Sequence, residues 1–224
     1  MVMSFFRRPE EGGLESIESQ VQRMVTDARH TFDLALSAIT GGPVETVAEE
    51  VRRTDRGINS TEVEIRRALV VHASVHGGAD TPEMLVFMNM VKDLERIGDY
   101  NKNIFDLAEE GVSFADSSDL ESILVLRDEI SSRIALMGEI LNSRDEDRAR
   151  IYIERGDELR RDFDSRISKL LHSDEPAVTS VPKALLYRFL KRVTAHSSNV
   201  VSAVVMPVDP VSYTHLTLPT ILLV

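Results

Sequence analysis

Apolar residues recur at intervals of three and four along most of this chain, which is the period of one face of an α-helix. The first such stretch runs from about Leu14 to Thr40. Its apolar positions are Ile17, Val21, Met24, Val25, Ala28, Phe32, Ala35 and Ile39. The 11 glycines and 8 prolines of the 224-residue sequence cluster at a few places, whereas an all-β fold needs turn residues at short, regular intervals. We therefore predict an all-α protein.

Six helices follow from this period and from the glycines and prolines between the apolar stretches. After the first, they are predicted over Pro43 to His76, Thr81 to Glu110, Asp116 to Leu141, a fifth ending near His172, and a sixth from Val181-Pro182 to Met206. The charged run from Ser143 to Arg150 either separates the fourth and fifth helices or is an exposed turn of one longer helix. Short connections imply antiparallel neighbours. The chain is therefore predicted to form two antiparallel three-helix bundles, over residues 14–111 and 117–207.

The two ends of the sequence do not follow this pattern. Residues 208–224 are short of charge and rich in β-branched side chains, and they resemble a read-through fragment. We interpret them as a non-native or disordered tail and exclude them from functional argument. Residues 1–8 place their charges after the apolar side chains and no long apolar region follows, so they are not predicted to be a signal peptide.

The charge balance limits the partners that the protein can have. The chain carries 37 acidic and 26 basic residues, for a formal net charge of −11. A chain this acidic repels phosphate backbones, so nucleic-acid binding is disfavoured and basic protein surfaces or cations are favoured. No stretch approaches the ~18 apolar residues of a membrane span. We expect a cytoplasmic protein that is peripheral to a membrane at most.

The sequence lacks the usual catalytic constellations. Cysteine is absent, which excludes disulfides, thiolate metal sites and cysteine nucleophiles. There is no glycine-rich phosphate loop, no Gly-x-Ser-x-Gly elbow and no Glu-x-x-His pair of the kind that di-iron carboxylate enzymes use. A binding or signalling module is therefore predicted in preference to an enzyme.

Oxygen-bearing side chains on the second and third helices form a candidate cation site. Glu95 and Asp99 are four residues apart on the third helix, so they lie on one face. Asp55, Asn59 and Glu62 follow one another at separations of four and three on the second helix. Two neighbouring helices that present oxygen ligands can hold a hard divalent cation or iron. The spacing does not choose the metal.

A second interpretation of the same residues needs no metal. On the third helix Lys92, Glu95, Asp99, Lys102 and Asp106 form one stripe. Opposite charges three or four residues apart are typical of a solvated helix face. Spacing alone favours this interpretation over the metal site.

His72 and His76 are also four residues apart and could form a zinc pair. No glutamate follows His72, so the metalloprotease helix motif is absent. Two histidines in the last turn of a helix more commonly interact favourably with the helix dipole. We therefore favour a structural role for this pair.

Two of these segments resemble the signature helices of the PhoU family. They are the run from Asp93 to Ile104, which contains Glu95-Arg-Ile-Gly-Asp99, and the run from Asp55 to Glu62 in the preceding helix. The resemblance extends over about Leu14 to Asp209. It implies a tandem repeat of three-helix bundles and no enzymatic activity.

The resemblance also implies a function and partners. PhoU-like proteins act at the cytoplasmic face of a phosphate transporter and help to repress the phosphate-starvation response. This chain would then contact a phosphate transporter ATPase and a phosphate sensor kinase, and it would form a homodimer. An alternative is a metal-free helical adaptor domain of another ion transporter, such as a sodium-phosphate or potassium system. A metal-dependent enzyme is disfavoured by the missing nucleophiles and histidine ligands.

In some PhoU-like proteins the acidic motif on these helices binds a multinuclear metal cluster, iron in particular. By this resemblance Glu95 and Asp99 are the best candidate ligands, and Asp55 is next. Asn59 stands where the family motif often has a carboxylate, so its ligation would be weaker. Glu62 would be an additional ligand.

The second repeat departs from the motif. Lys191 replaces Glu95, Ala195 replaces Asp99, Thr194 replaces Gly98 and Arg161 replaces Asn59, while Asp157 is kept in the place of Asp55. This change loses two carboxylates and gains two cations, which disfavours cation binding. We therefore predict one cation site, in the first bundle only.

Overall fold

The computed structural model describes residues 12–76 and 80–205, with the side chains of 15–75 and 80–205. Six helices account for most of these ranges, which contain no strand, so the predicted all-α fold is confirmed. The helices are α1 Gly12–Ile39, α2 Val44–His76, α3 Thr81–Glu109, α4 Leu120–Ser143, α5 Glu146–Leu171 and α6 Ala177–Val205. The predictions for residues 1–8 and for the tail 208–224 lie outside the described residues. Among the helices described, none is both long enough and apolar enough to cross a bilayer.

The charged run after α4 separates two helices. Arg144 adopts a left-handed backbone conformation, with φ of 53°, and its N–H donates to the carbonyl of Ile140 at 2.7 Å. Asp145 then caps α5, because its carboxylate accepts from the backbone N–H of Arg148 at 3.0 Å. The two interpretations of this run are thereby decided in favour of a break.

The sixth helix begins earlier than the sequence predicted, and the start at Val181-Pro182 was wrong. The carbonyl of Pro176 accepts from the backbone N–H groups of Thr179 and Ser180 at 2.8 and 3.0 Å, so the first turn forms there. Pro182 lies inside the helix. It removes one hydrogen bond near the start of α6 without ending the helix.

The helices pack as a central layer with one helix on each side. In the first bundle α1, α2 and α3 contact one another, and in the second bundle α6 contacts both α4 and α5. The bundles meet where α1 packs on α4 and α3 packs on α6, and one apolar cluster continues through both. The central helices are therefore α1, α3, α4 and α6. The domain limits 14–111 and 117–207 stay a prediction.

Candidate functional site

The motif on α3 lies at a close approach of α2 and α3. A Cβ atom placed on Gly98 would lie 3.2 Å from Cδ1 and 3.4 Å from Cγ2 of Ile58, whose side chain is buried. Real Cβ atoms seldom come so near a neighbouring atom. The glycine between Glu95 and Asp99 thus lets the two helices lie close together and brings their polar faces into range of each other.

The negative charges of α3 act on Asp55 of α2. This side chain is only 8% exposed, and burial raises its pKa above the ordinary value. The cation of Lys102 acts against this rise, whereas the negative charges of Asp99, Asp106 and Glu95 add to it. Asp55 on α2 therefore lies near enough to Glu95 and Asp99 on α3 for their charges to act on it.

Cations of α3 already hold the two α3 carboxylates. Lys92 Nζ donates to Glu95 Oε2 at 2.8 Å, and Arg96 Nη1 donates to Asp99 Oδ2 at 3.0 Å. Arg96 Nε also lies 3.8 Å from Glu95 Oε2. Lys92 and Glu95 thus form the ion pair expected of a solvated helix face, while Asp99 pairs with Arg96, which lies outside the stripe.

The remaining candidates lie further along α2. Glu62 is buried and accepts a hydrogen bond from Arg66 Nη1 at 2.7 Å, while Asn59 is half-buried. Over residues 15–75 and 80–205, no group of three or more histidine, aspartate or glutamate side chains is arranged to hold a metal ion. The five predicted ligands thus lie on α2 and α3.

Comparison with known proteins agrees with this arrangement of helices and motif. Residues 21–108, which carry both acidic segments, match the family model described as PhoU domain. Residues 21–108 are a PhoU domain. The chain is also similar to PhoU from Pseudomonas aeruginosa in its crystal structure, with a TM-score of 0.74 and 18% sequence identity over 88% of this chain and 97% of that one. No curated protein sequence matches the chain.

His72, one of the two histidines singled out in the sequence, has a structural partner. His72 Nε2 lies 3.0 Å from Asp80 Oδ2, and both side chains are largely buried. This pair joins the end of α2 to the start of α3. The side chain of His76 lies outside the described residues, so the predicted pairing of the two histidines has no structural test.

The second bundle has ion pairs where the PhoU domain has its acidic motif. Lys191 Nζ lies 2.5 Å from Asp164 Oδ1, which joins α6 to α5. Asp157 pairs with Arg160 on its own helix. Thr194, in the place of Gly98, is buried and donates to the carbonyl of Leu190 at 2.9 Å. Cations of the second bundle thus neutralise the carboxylates at the equivalent positions.

Sequence reasoning missed a polar cluster where the PhoU domain meets the second bundle. Asp93 Oδ1 lies 2.7 Å from His196 Nδ1 and accepts from Asn199 Nδ2 at 3.1 Å. The His196 ring stacks on Tyr100 with 5.7 Å between centroids, and Arg192 Nε donates to the Tyr100 hydroxyl at 3.2 Å. These side chains lie on helices far apart in sequence, and no local spacing signals their contact.

Two helical glycines of the PhoU domain give a test of the close α2–α3 approach. Gly57→Ala is expected to raise the free energy of unfolding by about 0.5–1 kcal/mol, because alanine favours helix and a Cβ there meets nothing within 4 Å. Gly98→Ala is expected to lack this gain, since its new methyl group presses on Ile58. Urea unfolding followed by circular dichroism measures both.

A second substitution controls for the contact. Ile58→Val removes the Cδ1 atom that lies nearest to the new methyl group. Gly98→Ala should therefore cost less in the Ile58→Val background than in the wild type. Equal stabilisation by the two single glycine substitutions would contradict the close approach.

Proposed function

We propose that this protein is a cytoplasmic, non-enzymatic regulator of phosphate uptake and a negative regulator of phosphate-starvation signalling. The observation that carries the proposal is the PhoU domain at residues 21–108, with its acidic motif on the facing sides of α2 and α3. The similarity in fold to PhoU from Pseudomonas aeruginosa over 88% of this chain supports it. The protein would act as an adaptor, as a homodimer, for a phosphate transporter ATPase and a phosphate sensor kinase.

The physical character of the chain supports an adaptor. Six packed helices give a rigid body, and the net charge of −11 favours basic protein surfaces as partners. Such contacts require no catalytic group.

A pull-down from phosphate-replete cells tests the adaptor function. Affinity-tagged protein should recover the ATPase subunit of a phosphate transporter or a membrane sensor kinase, identified by mass spectrometry against a tag-only control. Recovery of a sodium-phosphate or potassium transporter instead would replace this proposal with the alternative adaptor function. Recovery of neither class would overturn both.

We also propose that the PhoU domain binds one divalent cation or iron ion through Asp55, Glu95 and Asp99. The support is Asp55, whose pKa is raised chiefly by burial and further by the negative charges of α3, which a cation would offset. Glu62 and Asn59 would complete the oxygen ligands. Lys92 and Arg96 pair with Glu95 Oε2 and Asp99 Oδ2, so these ion pairs would compete with a metal for the two carboxylates.

Elemental analysis of purified protein tests this second proposal. The wild type, incubated with ferrous or manganous ions and desalted, should retain about one metal ion per chain, half of what two intact repeats would bind. Glu95→Ala with Asp99→Ala should remove the metal.

The matched control is Glu45→Ala with Glu49→Ala. It also removes two exposed carboxylates four residues apart, but at the start of α2 and away from the motif. Equal metal content in both double variants, or none in the loaded wild type, would overturn the cation site and would leave the adaptor proposal to its own test.

A further inference from the structure

The two bundles differ in how their first two helices pack. In the first bundle α1 packs along α2, whereas α4 and α5 of the second bundle make almost no direct backbone contact. Helices in contact normally have their axes 8–10 Å apart, so the space between α4 and α5 is too wide for close packing. A groove of about 570 Å³ opens there. We call it the α4–α5 groove. One wall is Ser118–Glu129, at the start of α4 and just before it, and the other is Arg155–Arg166 on α5.

Long polar side chains bridge this groove where apolar packing is missing. Arg155 Nη2 donates to Glu129 Oε1 at 2.7 Å, and Arg166 Nη1 donates to Ser122 Oγ at 3.0 Å. The Arg155 side chain is 52% exposed. An exposed pair of this kind contributes about 0–1 kcal/mol, so a ligand can displace it at little cost.

The groove has a narrow apolar floor. Leu126 and Leu159, one from each helix, are buried at its base, and Val125 stands 61% exposed at its edge. Val125 thus adds exposed apolar surface beside the two buried leucines.

The edges of the groove are acidic. Glu121, Glu129, Glu158 and Asp162 line it, with only Arg155 and Arg166 as cations. Arg155 is already paired with Glu129 and Glu158, and Arg166 is paired with Asp162. The lining therefore keeps an excess of negative charge, which favours a cationic ligand and disfavours an anionic one.

We propose that the α4–α5 groove binds a basic amphipathic helix of a partner protein. The apolar stripe of that helix would cover Leu126, Leu159 and Val125, and its lysine or arginine side chains would pair with Glu121 and Glu158. Acidic edges exclude nucleic acid and anionic lipid headgroups as occupants, since both carry phosphate. This inference builds on the proposed adaptor function, because it names the chemistry of one partner surface.

Synthetic peptides test the groove directly. The probe is a fluorescent 18-residue helix with leucine on one face and lysine on the other, titrated with the full chain and followed by fluorescence anisotropy. Two control peptides are used: one with glutamate in place of lysine, and one with the same leucines and lysines in an order that breaks the helical period. The leucine–lysine helix should bind at least tenfold more tightly than either control. Equal binding of the reordered peptide would reduce the effect to net charge and overturn the proposal, as would no binding by any peptide.

Matched variants locate the binding. Val125→Asp and the double variant Glu121→Lys, Glu158→Lys should each weaken binding of the leucine–lysine helix at least tenfold. Val70→Asp and the double variant Glu49→Lys, Glu64→Lys make the same changes on exposed positions of α2, where Val70 is 59% exposed, and should leave binding within twofold of the wild type. Equal losses in both sets would overturn the groove. A groove variant that fails with the peptide but still recovers the transporter ATPase or kinase would separate the two proposals, since only the link between groove and partner would then fall.

Discussion

Glu83→Gln is expected to stabilise the protein relative to the wild type, and the gain should grow with pH. It should be about 1 kcal/mol at pH 5 and about 3 kcal/mol at pH 8. Glu83 lies in the first turn of α3 and is only 8% exposed. Burial is the main reason that its pKa rises from 4.5 to about 7. Glutamine keeps the shape of the protonated side chain without a proton to lose.

Four charged groups from neighbouring elements act on Glu83. The carboxylates of Asp80 and Glu18 raise its pKa further, while Arg144 and His72 act in the opposite direction. The folded protein therefore holds a proton on Glu83 that the unfolded chain releases above pH 4.5. The wild type loses this part of its stability as the pH rises from about 4.5 through 7, and the loss is complete above pH 7.

Urea unfolding of both proteins at pH 5, 6, 7 and 8 measures the effect as a difference, which removes the contribution of titrating groups that do not interact with Glu83. Glu64→Gln is the matched control, because Glu64 is an exposed glutamate of α2. Its difference from the wild type should stay flat with pH. A flat difference for Glu83→Gln as well, or a difference that shrinks as the pH rises, would contradict a buried, protonated Glu83.

The helices could be read from the sequence because each buries an apolar stripe over seven turns or so, and the period survives a shift of a few residues at either end. The start of α6 could not be read in the same way. Pro176 and Pro182 are both start signals, and only the hydrogen bonds of Thr179 and Ser180 to the Pro176 carbonyl decide between them. The sequence period thus predicts that the helix exists, but it does not predict the residue at which the helix begins.

The candidate site divides along the same line. Asp55, Glu95 and Asp99 could be placed together from sequence because each spacing fixes a face and the short connection makes α2 and α3 neighbours. The ion pairs that Arg96 makes with Glu95 and Asp99 could not, since Arg96 lies outside the stripe of alternating charges and the spacing does not choose which cation each carboxylate pairs with. Rotamers and burial decide that choice.

The contact between the bundles was wholly hidden in the sequence. Asp93 and His196 are 103 residues apart, and each lies on a helix whose period is explained by its own bundle. Only the packing of α3 on α6 brings them together. Polar pairs at a long-range interface leave no local pattern, which is why the motif on α3 was found and its neighbour Asp93 was not.

Asp93→Ala is expected to lower the free energy of unfolding by about 2–3 kcal/mol, because it removes the shared acceptor of His196 and Asn199 from a largely buried interface. Nε2 of the His196 ring has no hydrogen-bond partner among the described residues. The substitution therefore leaves both ring nitrogens without a hydrogen bond, while the stack on Tyr100 remains. Asp93→Asn keeps one carbonyl acceptor and should cost about half as much. Urea unfolding at pH 7 gives all three values.

A double substitution separates the pair from general damage to α3. Asp93→Ala with His196→Phe removes both polar partners and keeps an aromatic ring on Tyr100, so it should be at least about 1 kcal/mol more stable than Asp93→Ala alone. Asp128→Ala, at an exposed aspartate of α4, should change stability by less than about 0.5 kcal/mol. If the double variant lost the sum of its two single effects, Asp93 and His196 would be independent. The α3–α6 interface would then depend on its apolar contacts and not on this pair.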